Sequence, residues 1–189
     1  MSSYYYLHYC SDEAYERYGV AYAPPGTDIH VIPEPGQKIV DWQPLHFTLR
    51  EGGFADYLAD NIGARLCSVR LRRIVDKNLA ADDRVQWLEA TVAHGKEIRP
   101  YWILHFPEYI PVLDREKSIM VGSKIVVKPV LSAARLHGHN ICSLCYGTRC
   151  FVSSRLKRMV EAAQCTGVGF SKVPVTGQLQ PPTAEKVSG

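Results

Sequence analysis

The segment His137-Gly138-His139-Asn140-Ile141-Cys142-Ser143-Leu144-Cys145-Tyr146-Gly147-Thr148-Arg149-Cys150 gathers the densest set of reactive side chains in this sequence. Two imidazoles, a C-x-x-C pair and a third cysteine are enough ligands for a tetrahedral zinc ion. Two features argue against that use. Structural zinc sites usually draw on a second spaced pair of ligands, and the rest of the sequence offers none. The segment also reads as a hairpin with Gly147-Thr148 as its two-residue turn. That register sets Cys145 opposite Cys150 and turns Cys142 to the other face, which separates the ligands zinc must gather. Redox catalysis fares no better, because a reactive C-x-x-C sits at a helix N-terminus whose dipole lowers the first thiol's pKa. Here the pair lies in an apolar strand pattern. The expectation is buried free thiols and no cofactor, and one equivalent of tightly held zinc found by elemental analysis would overturn it.

Other chemistries leave still less trace. There is no G-x-S-x-G elbow, no H-E-x-x-H and no glycine-rich phosphate loop. His46 and His105 fall within apolar strand patterns, where a hydrogen-bonded structural role fits better than catalysis. The basic stretches around Arg70, Arg72 and Arg73 and around Arg155, Lys157 and Arg158 could bind phosphates if both faced one way. They read more simply as solvated faces of amphipathic helices, moderated by Asp76 and Glu161 and lacking interleaved aromatics. The chain is therefore expected not to be an enzyme.

The elements that hold these residues show an internal near-repeat. Cys67-Ser68-Val69-Arg70-Leu71-Arg72-Arg73-Ile74-Val75 returns as Val152-Ser153-Ser154-Arg155-Leu156-Lys157-Arg158-Met159-Val160 at a constant offset of 153 − 68 = 85. Each copy follows a short apolar run, so Ser68 and Ser153 are expected to cap helices as the chain leaves a strand. Leu71, Ile74 and Val75 share one helical face, as do Leu156, Met159 and Val160. The implied fold class is α+β: a mostly antiparallel sheet with two pseudo-repeated strand–Ser cap–helix units.

Strands are expected at Tyr4 to Tyr9, Leu45 to Leu49, Val85 to Val92 and Tyr101 to Phe106, the last pair joined by a Gly95-Lys96 turn. Further strands are expected at Lys124 to Lys128 and around Val168 to Phe170, with a helical turn from Ser132 to Leu136. Tyr22 to Gly36 is proline-rich and extended, and Glu108 to Gly122 is a long connection of mixed charge. The domain plan is residues 1–44 as a strand and proline-rich connection packed on the body, 45–175 as the α+β domain, and 176–189 as a mobile tail.

Composition bounds the function. A chain of 189 residues with 46% hydrophobic content can bury one good core, or two small lobes packed together. Twenty-two basic against 19 acidic residues leave +3, too little to imply nucleic acid or membrane. The first residues lack a secretory signal, no apolar run is long enough to span a membrane, and six cysteines without a signal suit a reducing cytoplasm.

From about Leu45 to Val175 the chain resembles the bacterial polymorphic-toxin immunity proteins of the immunity-protein-eleven family. The resemblance is carried by Asp56-Tyr57-Leu58, the first serine-capped helix, and Val85-Gln86-Trp87-Leu88 followed by Tyr101-Trp102-Ile103-Leu104. Val112-Leu113-Asp114, Phe151-Val152-Ser153 and Thr166-Gly167-Val168-Gly169-Phe170 complete it. The Cys-rich hairpin and the proline-rich stretch are not features of that pattern. The resemblance implies a cytoplasmic protein that neutralises one cognate toxin by binding it stoichiometrically. It implies no nucleic acid, no membrane and no cofactor, and leaves homo-oligomerisation open. A slightly basic inhibitor is a poor mimic of nucleic acid, so an acidic toxin site, or contact away from a nuclease cleft, fits better. The expected contact residues are Tyr109, Asp114, Arg115 and Glu116 on the 108–122 connection. The alternative is a nucleic-acid-binding module built on basic helices, or a small zinc-stabilised regulatory module.

Overall fold

A computed structural model describes residues 3–10, 18–28, 30–145 and 147–177. The expected mobile tail therefore lies mostly outside the described residues, although Val175–Thr176 is a strand. Among the described residues the protein is α+β, mostly strands in antiparallel sheets with three short helices. In chain order the elements begin with β1 (Tyr4–Tyr9), β2 (Val20–Tyr22), β3 (Leu45–Leu49), β4 (Tyr57–Asp60), β5 (Leu66–Ser68) and α1 (Val69–Lys77). There follow β6 (Gln86–His94), β7 (Glu97–His105), β8 (Ile119–Val121), β9 (Ile125–Lys128), β10 (Leu131–Ser132) and α2 (Ala133–Leu136). The last are β11 (Ile141–Ser143), β12 (Cys150–Ser153), α3 (Ser154–Ala162), β13 (Val168–Val173) and β14 (Val175–Thr176).

Six strands close a barrel in the order β2-β3-β6-β7-β5-β4. Most of its pairings are antiparallel, but β3 runs parallel to β6, and β2 closes the ring parallel to β4. The long β6–β7 hairpin is its backbone, turning at Gly95, whose φ of +59° suits the first position of a two-residue turn. The barrel interior is packed with Phe47, Leu49, Leu58, Leu66, Leu88, Tyr101 and Ile103. The proline-rich segment and the residues after it form a strap, whose Ile32, Ile39 and Trp42 pack against that cluster. Gln86 accepts from the amide of Ile39 and donates to its carbonyl, and the Trp42 indole donates to Glu89 O.

Four strands form the second sheet, in the order β11-β12-β1-β13. Its strand β1 is antiparallel to a neighbour on each side, so the aromatic-rich opening segment is interior to the sheet. Strands whose two faces are both covered need apolar residues at successive positions, which is the pattern of Tyr4-Tyr5-Tyr6-Leu7. One face of this sheet joins the barrel exterior and the helices α1 and α3 in a core containing Leu7, Leu71, Val75, Leu104, Ile141, Val152, Leu156 and Val160. The other face is covered by Leu113, Val126, Leu131 and Leu136 against Tyr4, Cys142, Phe151 and Val173.

Ser68 and Ser153 are the N-caps of α1 and α3, each accepting from the amide three residues on, at 3.2 Å and 3.3 Å. Each hydroxyl also donates, Ser68 to Asp56 Oδ1 at 2.6 Å and Ser153 to Asn140 Oδ1 at 2.8 Å. Leu71, Val75, Leu156 and Val160 are buried as the helical period requires, but Met159 is exposed and Ile74 only half-buried. The apolar stripe of α3 is narrower than the sequence suggests, because α3 meets the core along its Leu156–Val160 edge alone. Ser153→Ala is expected to cost about 1–2 kcal/mol and Ser68→Ala about 1 kcal/mol in urea unfolding. The larger loss goes to Ser153, which is almost fully buried, so that water cannot replace its hydroxyl. Equal and negligible losses would show that the caps are dispensable.

Candidate functional site

The Cys-rich hairpin forms, but in another register. Ser143, and not Cys145, pairs with Cys150, and Cys142 pairs with Phe151. The connection is accordingly longer than a two-residue turn, with Leu144 N donating to Arg149 O across it. The two-residue slip keeps side-chain parity, so Cys142 and Cys150 still point to opposite faces of the sheet and enter different cores. Burial pushes the Cys150 thiol up to about 12 and raises those of Cys67 and Cys142 well above the ordinary range. All six cysteines are free. His137 is exposed at the end of α2, while His139 Nδ1 donates to Asp83 Oδ1 at 3.2 Å. Among the described residues no group of three or more His, Cys, Asp or Glu side chains is placed to hold a metal ion.

His46 and His105 both make hydrogen bonds within the fold. His46 Nδ1 bonds Thr91 Oγ1 at 2.8 Å on the barrel surface. His105 is fully buried, its Nε2 donating to Gln37 O at 2.7 Å while Nδ1 has no partner among the described residues. Burial, joined by the nearby Arg65 charge, lowers its pKa from the ordinary 6.5, against the pull of the Gln37 carbonyl. A depressed folded pKa means that the unfolded chain takes up the proton first. The contribution is therefore complete above about pH 6.5 and is lost as pH falls from there toward the folded value. Unfolding free energies for the wild type and His105→Gln, measured from pH 7.5 to 5, should converge as the pH drops. A constant difference would show that His105 is not the group responsible.

The basic helices carry part of their charge against the body. Arg70 lies 3.5 Å from Asp56, and Arg72 pairs with Asp76 at 3.6 Å. Arg72 also lies over the rings of Trp87 and Trp102, and Lys157 over those of Tyr5 and Phe170 while pairing with Glu161. These two cations flatten on aromatic faces, while Arg70, Arg73, Arg155 and Arg158 are exposed.

The 108–122 connection is more ordered than its sequence suggests. Asp114 N donates to Val130 O, its carbonyl accepts from Ser118 N and Oγ, and its carboxylate accepts from Lys117 N at 3.3 Å. Ser118 Oγ accepts from Val130 N at 2.9 Å, so the turn is stapled to the strand beyond. Arg115 donates to Ser123 O at 3.1 Å. Tyr109 and Glu116 are exposed, and Tyr109 sits against Gly36 of the strap. Asp114 and Arg115 thus brace a hairpin, and Glu116 stands on its shoulder.

That hairpin, β8–β9, is what the sequence reading missed by leaving residues 119–121 in a loop. Val121 pairs with Ile125 and Met120 with Val126. Met120 and Val126 face inward, while Ile119, Val121, Ile125 and Val127 are 55%, 58%, 63% and 52% exposed. The signal was present as Ile119-x-Val121-Gly-Ser-Lys-Ile125-x-Val127, two alternating β-branched pairs about a turn. Beside β9 run two grooves that share Tyr6 and Arg149. One is lined by Val127, Lys128, Arg149 and Lys172, the other by Glu34, Ile125, Leu144 and Thr148. The Tyr6 ring packs on Phe151 at 6.0 Å, and burial raises its phenol's pKa, so it stays neutral.

No helix among the described residues is long and apolar enough to cross a membrane. No curated protein matches this chain. A model of the immunity protein family (Imm11) matches residues 16–175, which covers the whole barrel, both capped helices and all but the first strand of the second sheet. The chain belongs to the immunity protein family (Imm11).

Proposed function

We propose that this protein is a cytoplasmic immunity protein that binds one cognate bacterial toxin stoichiometrically and neutralises it, without catalysis. The observation that carries the reading is the family match over residues 16–175. Supporting it, burial holds the Cys67, Cys142 and Cys150 thiols protonated, His105 is neutral in the core, and Arg72 of α1 and Lys157 of α3 lie over aromatic rings. Contact through the 108–122 connection, with Tyr109, Asp114, Arg115 and Glu116, is part of the same proposal. Tyr109, Arg115 and Glu116 are exposed, and Asp114 and Arg115 also hold the shape through their hydrogen bonds.

The two strand–Ser cap–helix units serve, in this reading, as a pseudo-repeated frame. Supporting that, the Ser68 amide donates to Asp56 O and the Ser153 amide to Asn140 O, both at 2.8 Å, and each hydroxyl bonds the side chain of that same residue. Arg72 and Lys157, also 85 positions apart, each pair with an acid one turn on and lie over two rings.

The test is co-expression with the toxin encoded beside this gene. Cells should survive, and the two proteins should elute as one complex of fixed stoichiometry. Rescue at strongly substoichiometric protein would indicate turnover and defeat the proposal, as would the absence of both rescue and complex.

A further inference from the structure

We infer that the outward face of the β8–β9 hairpin, with the grooves on either side of Arg149, is the toxin-docking surface, and that it receives a protein patch with an apolar centre and an acidic edge. The inference rests on the toxin-binding reading above. Four β-branched side chains stand more than half exposed on one face of a two-stranded hairpin, Ile119, Val121, Ile125 and Val127. Isolated surface leucines or valines are ordinary, but a contiguous apolar face on a small edge hairpin invites pairing and is usually blunted with charge. Here the charge lies at the border. Lys128 and Lys172 are exposed, and Arg149 reaches from the neighbouring sheet to Val127 O at 3.5 Å. Glu34 is the carboxylate in the groove lining.

An apolar centre with a charged rim is the anatomy of a protein interface, and Tyr6 and Arg149 at the groove floor are residue types that anchor one. The sign of the rim selects the occupant. A second copy of this chain would bring Lys128, Arg149 and Lys172 against themselves, a repulsive arrangement. Nucleic acid would meet aliphatic side chains that offer it no stacking platform. A protein surface with acidic groups around an apolar patch satisfies both halves. The hairpin is also set firmly enough to bind without a large ordering cost, because Ser118 and Arg115 tie its base and tip and Met120 and Val126 root it in the core.

The experiment titrates the toxin domain encoded beside this gene with the full-length chain. Two variants are compared with wild type, Ile125→Glu with Val127→Glu, and Lys128→Glu with Lys172→Glu. All four side chains face solvent, and unchanged thermal unfolding establishes that each variant is folded. The apolar pair should weaken binding about 30-fold or more, the scale of an interface hot spot. The rim pair should slow association about tenfold at low ionic strength, with the difference fading at high salt. Wild-type neutralisation with both variants binding normally would overturn this surface and leave the immunity reading standing. Absence of a wild-type complex would sink both. Loss in the variants of self-association, or of retained nucleic acid, with toxin binding unchanged would reassign the face and overturn the inference.

Discussion

Arg65→Ala is expected to lower the unfolding free energy by about 3 kcal/mol, read as a fall in the urea midpoint at unchanged slope. Arg65 is buried, and among the described residues its guanidinium hydrogen-bonds carbonyls and no carboxylate. Nε donates to Thr148 O at 2.9 Å, Nη1 to Leu104 O at 2.9 Å and Nη2 to Gly147 O at 3.5 Å. The same residue's own carbonyl accepts from Leu104 N at 3.2 Å, and its ring neighbour is Phe106 at 5.4 Å. One side chain therefore ties the barrel strand β7 to the loop of the β11–β12 hairpin. Removing it leaves carbonyls without donors in a dry site and opens a cavity the size of the side chain. The backbone adds a further constraint, since Arg65 has a φ of 47°, a region costly for a residue with a Cβ. Arg65→Lys should recover less than half of the loss, because a single ammonium cannot span three carbonyls. Arg65→Gly separates the terms: it relieves the φ but loses the bonds, and should remain well below wild type. A loss under about 1 kcal/mol for Arg65→Ala would show that water replaces the guanidinium and that the tie is not structural.

Asp83→Ala should cost a similar amount, about 3 kcal/mol or more, by the opposite chemistry. The Asp83 side chain is completely buried, and its oxygens accept from Ala80 N at 2.7 Å, Asn140 N at 3.1 Å and Ile141 N at 3.4 Å. His139 Nδ1 is a further donor. The carboxylate thus gathers the N–H groups of the segment that leads into β11. Asp83→Asn is the sharper variant. It keeps the shape but turns one acceptor into a donor facing donors, so it should recover little of the loss. Full stability of Asp83→Asn would show that the charge and the second acceptor are unneeded. Asn140 is held by Asp83 on its amide and by Ser153 on its side chain, so the two sites share a partner. Asp83→Ala and Ser153→Ala are therefore expected to combine non-additively, and strict additivity would argue that Asn140 does not connect them.

Both residues lie outside everything their local sequence advertises, and the reason is general. Tyr4–Tyr9, aromatic on both faces, and Leu45–Leu49, closed by its glycine turn, take the strand limits their sequences suggest, and the Gly95-Lys96 turn joins β6 to β7. The helix starts at Ser68 and Ser153 are equally local, because a cap needs only its own hydroxyl and the amide three residues on. The belonging of the chain to the immunity protein family was also legible in short strings spread from Asp56 to Phe170. Family pattern and local pattern are both written in neighbouring residues.

Pairing over long distance is not. Nothing near Val20–Tyr22 announces that it closes a barrel against Tyr57–Asp60, or that Tyr4–Tyr9 slots between strands more than 140 residues later. The hairpin register at Cys142 and Cys150 was misjudged by two residues because a slip of two preserves every side-chain face, so alternation alone cannot detect it. Arg65 resembles a surface arginine in sequence, and only the approach of the 147–148 carbonyls gives it a buried role. The apolar face of β8–β9 escaped notice for the converse reason. Alternating Ile and Val ordinarily mean a buried face, and which of two apolar faces remains uncovered is decided by what packs on the other. Met120 and Val126 are taken by the core beneath, and Ile119, Val121, Ile125 and Val127 are left to the solvent. The sequence by itself determined where Tyr4–Tyr9, Leu45–Leu49 and the helices capped by Ser68 and Ser153 begin, and to which family the chain belongs. Tertiary structure alone decided which apolar surface was left over, because burial is a property of the neighbour as much as of the residue.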